Sequence, residues 1–411
     1  MLRLAGPINA RLQDAFTFSG IGTSTRSARR RTTDDVTSSY EDTDITSELA
    51  TTGALWAQAE DFWQVVGWAF SCSVAHPHRW EHWSLWLEYM LQVLEKDWEM
   101  RWFQSDGDGE IVLQKSMIVR YLSADTLSTG HERKVLRAIF ADGTKNSLAV
   151  FREIWQNETR LRKKDQGSRR TTDKKIDIEA DDYGDYMASS SSSDLEDGDP
   201  VTSTAPISPL LEETPNGAAT LGGMQALTLR LRLFSLLATV SAIIPSSFLP
   251  LYDLYDHSLH FIRPLPLPTF FILLSPMALT SLTAAAAQSL VQRVLRSLIS
   301  SSAPCPPHDN LDQEMLEKCY LLFAANTQSV ADNAKVSACV EALVALYERH
   351  CGLVWSEGLQ EAVEKGIEAR ERKAKKEGKS KARVKAGGGG ERAWLNGSAE
   401  RIRGYVASVR R

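Results

Sequence analysis

The chain is predicted to be all-α: an irregular multi-helix bundle or helical array in two halves, separated by a long disordered charged linker. Three observations predict it. Large apolar residues recur at three- and four-residue spacing before residue 164 and again from 223 to 351. No segment alternates apolar and polar residues between hairpin-type turns. Residues 164 to 222 hold so much Ser, Thr, Asp, Glu and Gly that they cannot bury enough surface to offset the entropy of ordering.

Residues 1 to 51 read as a disordered tail. The first 33 carry six arginines and one acid, Asp14, a composition like that of a mitochondrial presequence. Pro7 interrupts the only segment there that suits an amphipathic helix. A mitochondrial or endomembrane destination is therefore the alternative to a nuclear one.

Residues 52 to 164 form a Trp-rich helical domain. Trp56, Ala59, Trp63, Val66 and Phe70 share one helical face, so a single helix is expected through "ALWAQAEDFWQVVGWAF". Pro77 suits the first turn of the next helix, where its missing N–H has no intrahelical partner to lose. That helix runs to about Trp102, with Trp80, Trp83, Leu87, Met90, Leu94 and Trp98 in one stripe; Trp86 and Val93 widen it, which calls for neighbours on two sides. Further helices are expected over 111–122, 130–141 and 144–164, broken at glycines 107, 109, 130 and 143. Eight of the eleven tryptophans lie between 56 and 102. At about 200 Å² each they represent roughly 1,600 Å² of surface, so most must be core or permanent interface.

Residues 165 to 222 are read as the acidic, Ser-rich linker, and 223 to 351 as a second helical domain. Helices are expected up to Pro245, up to Pro264, and over 277–301, 310–325 and 329–350. "PLPLP" at 264–268 is expected to run as an extended, polyproline-like passage. Residues 352 to 411 read as a basic C-terminal extension, part helical and part disordered.

The chemistry-bearing stretch is "CSVAHPHRWEHWSLW". His78 and His82 fall one turn apart on a helix, with Cys72 and His76 before it, so Cys72, His78 and His82 are the candidate metal ligands. Cys-x3-His-x-His-x3-His matches no familiar zinc spacing, however, and imidazoles among indoles serve equally as stacking and capping groups. The structural reading is preferred, no cofactor is expected, and a metal-dependent helical enzyme is the least favoured function. "QSDGDGEIVLQK" imitates a calcium loop, but its twelfth position is Lys115, a cation where a bidentate Glu is required. The sequence contains no Gly-x-Ser-x-Gly, Gly-Lys-Ser/Thr phosphate loop, His-Glu-x-x-His or Cys-x-x-Cys. Five cysteines, odd in number and widely spaced, point to a reducing compartment.

Charge supplies the remaining signal. "RLRKKDQGSRRTTDKK" holds eight basic residues in sixteen, including Arg162, Lys163, Lys164, Arg169 and Arg170. A second run includes Arg372, Lys373, Lys375, Lys376, Lys379 and Lys381. Both suit an import receptor or weak, non-specific phosphate contact with nucleic acid, and neither carries an aromatic residue for base stacking. Ser191 and Ser193 each precede an acid by three residues and are phosphorylation candidates. Two charge-free gaps make a membrane hairpin at 233–292 the rival reading, against which stand its prolines, serines and threonines. The expected function is a non-enzymatic nuclear scaffold or adaptor with protein partners.

Overall fold

A computed structural model describes residues 53–104, 109–123, 130–160, 219–307, 310–380 and 388–410. Among them the regular structure is helical throughout, and the only bridge between extended residues is the isolated pair Ile299–Ala325. The tail at 1–51, most of the linker, Ser191 and Ser193, and the calcium-loop mimic at 105–108 lie outside the described residues.

The first helix expected at 54–70 is in fact two, α1 (Leu55–Gln58) and α2 (Phe62–Ala75). The break is a cap. Asp61 accepts the backbone N–H of Gln64 at 2.7 Å, while the Gln64 side chain accepts that of Glu60 at 2.6 Å. Pro77 opens α3 (Pro77–Gln104) as expected. Its whole predicted stripe, from Trp80 to Trp98, is buried. Of the eight front tryptophans, Trp63, Trp68, Trp80, Trp83 and Trp98 are core, Trp56 and Trp86 are half-buried, and Trp102 is exposed.

The region expected as one helix at 111–122 is split into α4 (Gly109–Gln114) and α5 (Met117–Ser123). Asp97 on α3 draws α5 in, since its buried carboxylate accepts the Met117 N–H at 2.8 Å and pairs with Arg101 at 3.0 Å. α6 (His131–Ile139) starts after Gly130, whose φ of 104° only glycine adopts without strain. α7 covers only Lys145–Val150, and residues 151–160, expected to continue the helix, are turns and bends. Phe151 turns inward instead, its ring seated against Gly67, where a Cβ would lie 2.4 Å from it.

After residue 218 a 3-10 turn, Ala219–Leu221, leads into α8 (Gly223–Ile243), then α9 (Leu251–Ile262), α10 (Leu267–Leu273) and α11 (Ala284–Leu298). The passage expected to be extended at 264–268 is a tight turn and a helix start. Leu265 N–H bonds back to Ile262, and Pro268 occupies the first turn of α10, where a ring is tolerated. Within the segment of the proposed membrane hairpin, α9, α10 and α11 are short. The one described helix long and apolar enough to cross a membrane is α8, and 67% of its most apolar window is buried in the protein.

α12 (Gln313–Met315) passes into a π-helical turn, Leu316–Leu321, ahead of α13 (Val330–Cys351), α14 (Glu357–Ser380) and α15 (Gly388–Val409). α13 is the axle of this part, packed against α11, α14 and α15. Arg401 on α15 grips Glu341 on α13 with two bonds, 2.6 and 3.0 Å.

The described residues up to and including Glu158 and those from 219 on belong to one body, whose hydrophobic core is continuous from Ala59 to Val406; of the described residues only Thr159 and Arg160 fall outside it. α8 makes the junction, packing on α2, α3 and α6. Arg232 forms a two-bond pair with Glu95, and Trp80 donates its indole N–H to Gln225 at 3.2 Å. Gly222 lies so tightly on Ser73 that a Cβ there would sit 1.9 Å from its hydroxyl.

One device recurs: buried or half-buried cations hold backbone carbonyls of neighbouring segments, several of them at helix ends, where carbonyls lack intrahelical donors and attract positive charge. Arg230 of α8 is fully buried and donates to the carbonyls of Ile139, Ala141 and Phe70. Arg370 of α14 is equally buried and donates to Leu321 at 3.1 Å and Phe323 at 3.3 Å, at the end of the π turn. Lys373 adds a bond to the Ala325 carbonyl. Lys335 of α13 reaches the Arg263 carbonyl that closes α9, at 2.6 Å. Burial pushes the Arg230 guanidinium down to about 9 and that of Arg370 to about 10, both still charged at neutral pH.

Candidate functional site

The histidine-rich stretch straddles the corner between α2 and α3. Cys72 is buried inside α2, and its thiol is pushed up first by burial and then by the Glu158 carboxylate. His76 caps the end of α2; burial and the neighbouring His78 hold it below the ordinary imidazole value. Its ring lies 6.2 Å from that of His78 at 82°. His82 is exposed on α3. Among the described residues no three His, Cys, Asp or Glu side chains gather as metal ligands would.

What the corner builds instead is an indole cage around one acid. The side chain of Glu158 is 1% exposed and pairs with Arg79 at 2.9 Å. Its Oε1 also accepts the indole N–H of Trp83 at 2.6 Å, and its Oε2 those of Trp68 at 3.2 Å and, from the backbone, Trp155 at 3.4 Å. Trp155 stacks on Trp83 with centroids 5.7 Å apart. The carboxylate is saturated with donors and shielded from solvent, which makes it a structural anchor. Sequence reading missed Glu158 because it stands alone in "WQNETR", with no pattern around it.

The two basic runs fare differently. Arg162, Lys163, Lys164, Arg169 and Arg170 lie outside the described residues. On α14 the run is divided by helical periodicity. Arg370 and Lys373 hold backbone carbonyls, whereas Arg372 and Lys375 are exposed and pair with Glu368 at 3.0 Å and Glu371 at 3.6 Å. Such exposed i,i+4 pairs are weak and leave the cations accessible to a stronger anion. The side chains of Lys376, Lys379 and Lys381 are outside the described set.

The outstanding surface feature is apolar. At the C-terminal end of α3 Trp102 is 49% and Phe103 81% exposed, and Ile111 of the adjacent α4 is 56% exposed. Ile243 closes α8 nearby in the chain from Ser246, whose hydroxyl bonds to Glu110 of α4 at 2.9 Å. Single exposed apolar side chains are ordinary on soluble proteins. Trp102, Phe103 and Ile111 place three exposed large apolar side chains around one end of α3 and its packed neighbour, a surface of the kind used for partners. Trp102, at the expected end of the helix and four residues past the last member of the stripe, is half exposed where Trp98 is buried. Comparison of the chain with protein-family models, curated proteins and solved structures finds no match.

Proposed function

We propose that this protein is a non-enzymatic intracellular adaptor that works in the nucleus and engages protein partners through its helical surfaces. The exposed Trp102–Phe103 pair carries this reading, because aromatic anchors dominate binding energy at protein interfaces. The buried, saturated state of Glu158 supports it too, since the strongest polar cluster of the Trp-rich half has no free group to offer a substrate. A photo-crosslinking residue at position 103 is expected to capture protein partners that one at exposed Val150 does not, and Phe103→Asp to weaken capture roughly 30-fold. Equal capture from both positions removes the patch from the proposal.

Nuclear residence rests on the basic segments, which also provide weak, salt-sensitive contact with nucleic acid. Exchanging Arg372, Lys375, Lys376, Lys379 and Lys381 for glutamine is expected to reduce nuclear accumulation. Adding the same exchange at Arg162, Lys163, Lys164, Arg169 and Arg170 abolishes it. Arg370 and Lys373 are left in place because they hold the fold. Undiminished nuclear fluorescence of the tagged double set overturns the assignment.

A further inference from the structure

We propose that the cleft between α6 and α9 binds the phosphate group of a small, hydroxyl-bearing phosphomonoester. α6 and α9 pack together, with Phe140 at the end of one stacked on Phe261 of the other, centroids 5.4 Å apart and planes 8° apart. Beside this contact lies a cleft of about 230 Å³, lined by Arg133, Leu136, Arg137, His257, His260 and Phe261. Leu136 and Phe261 make an apolar floor. Arg133 and Arg137 stand one turn apart on α6; His257 and His260 stand three apart on α9.

Among the described residues no carboxylate lines this cleft. Other cations that reach between helices meet an acid or a backbone carbonyl: Arg232 pairs with Glu95, Arg401 with Glu341 and Arg403 with Glu364, while Arg230 and Arg370 hold carbonyls. Even Lys134, between the two arginines, pairs with Asp61 on the other side of α6. Arg133 and Arg137 have no ion pair or hydrogen bond among the described residues. Like charges at i,i+4 destabilise a helix, and two imidazoles facing them add donors of the same kind. An oxyanion resolves all of this at once, because guanidinium forks match a phosphate with two bonds each.

The size of the cleft limits what enters it. About 230 Å³ is below the range of whole drug-sized ligands and suits an anionic headgroup. His260 also lines a second, roomier cleft of about 460 Å³, where Leu259, Pro264 and Leu298 offer apolar wall, Arg263 adds a cation, and Asp332 and Asp256, the latter paired with Arg293 at 2.8 Å, offer carboxylate oxygens. A ligand whose phosphate sits among the arginines can therefore reach past His260 and donate hydroxyls to those carboxylates. A bare phosphate gains nothing there.

Phosphorus NMR titration of the full chain with inorganic phosphate and with glucose 6-phosphate tests the proposal. Saturable binding of both is expected, with the ester tighter by about fivefold or more. Arg133→Gln/Arg137→Gln should weaken both by about tenfold or more. Arg120→Gln/Arg152→Gln, at exposed positions elsewhere, should change them by less than about twofold. The proposal is overturned by absence of saturable binding up to about 10 mM, by equal losses in the control pair, or by equal affinity for the two probes. Preferential capture by phosphatidylcholine vesicles doped with a phosphoinositide, through the same two arginines, would overturn the free ester in favour of a lipid headgroup.

Discussion

Glu158→Ala is expected to destabilise the protein by about 4 kcal/mol. The substitution strips the acceptor from the indole N–H groups of Trp68 and Trp83, from the Trp155 backbone N–H and from the Arg79 guanidinium, all at once. Removing one partner of a buried ionic network costs more than the network contributes net, because the groups left behind stay dehydrated and unpaired. Glu158→Gln keeps the shape and one acceptor oxygen but loses the charge opposite Arg79, and should lose about half as much. Urea unfolding followed by tryptophan emission reads the effect directly, since the reporters are the ring partners themselves. A loss below about 0.5 kcal/mol, as for an ordinary surface change, would show that the indoles do not depend on the acid.

Arg230→Met is expected to cost about 3 kcal/mol. The buried carbonyls of Ile139 and Ala141 lose the guanidinium that donates to them, the Phe70 carbonyl keeps its bond from the Ser73 hydroxyl, and the Phe70 ring loses a guanidinium 4.2 Å from its centroid. Methionine returns part of this, because the unbranched side chain fills the space and no charge is dehydrated. Arg230→Lys should fall between the two, its ammonium reaching fewer acceptors than a planar fork. The measurement is again the unfolding midpoint. Methionine that matches or exceeds the parent would mean that the cost of burying the charge outweighs the carbonyl bonds it makes.

Both anchors mark where sequence reading reached its limit. The stripe on α3 was legible because every member is apolar and spaced for one face; so were the turn at Pro77 and the start after Gly130. The break at Asp61 was also written in the sequence, as Asp-x-x-Gln, but the apolar spacing across it spoke louder. Basic residues misled for a different reason. Arg230 falls three after Leu227 and four before Phe234, and Arg370 three after Ile367 and four before Ala374, so both sit on apolar faces. Read by composition Arg370 merges into a solvated run; read by period both stand inside. Arg133 and Arg137 show the converse, an unremarkable pair in sequence that α9 turns into half of a cleft. No periodicity reports which helix will lie opposite.

The bond network of Arg230 has a consequence for synthesis. Its acceptors precede it by 89 to 160 residues. At ~5–20 residues per second, Phe70 leaves the ribosome some ~8–32 s before the guanidinium that secures it is made. Throughout that interval the nascent front end carries greasy rings with no lid, an ideal client for a holdase. Cells short of such chaperones should accumulate this polypeptide as aggregates formed during translation, while molecules already finished stay soluble.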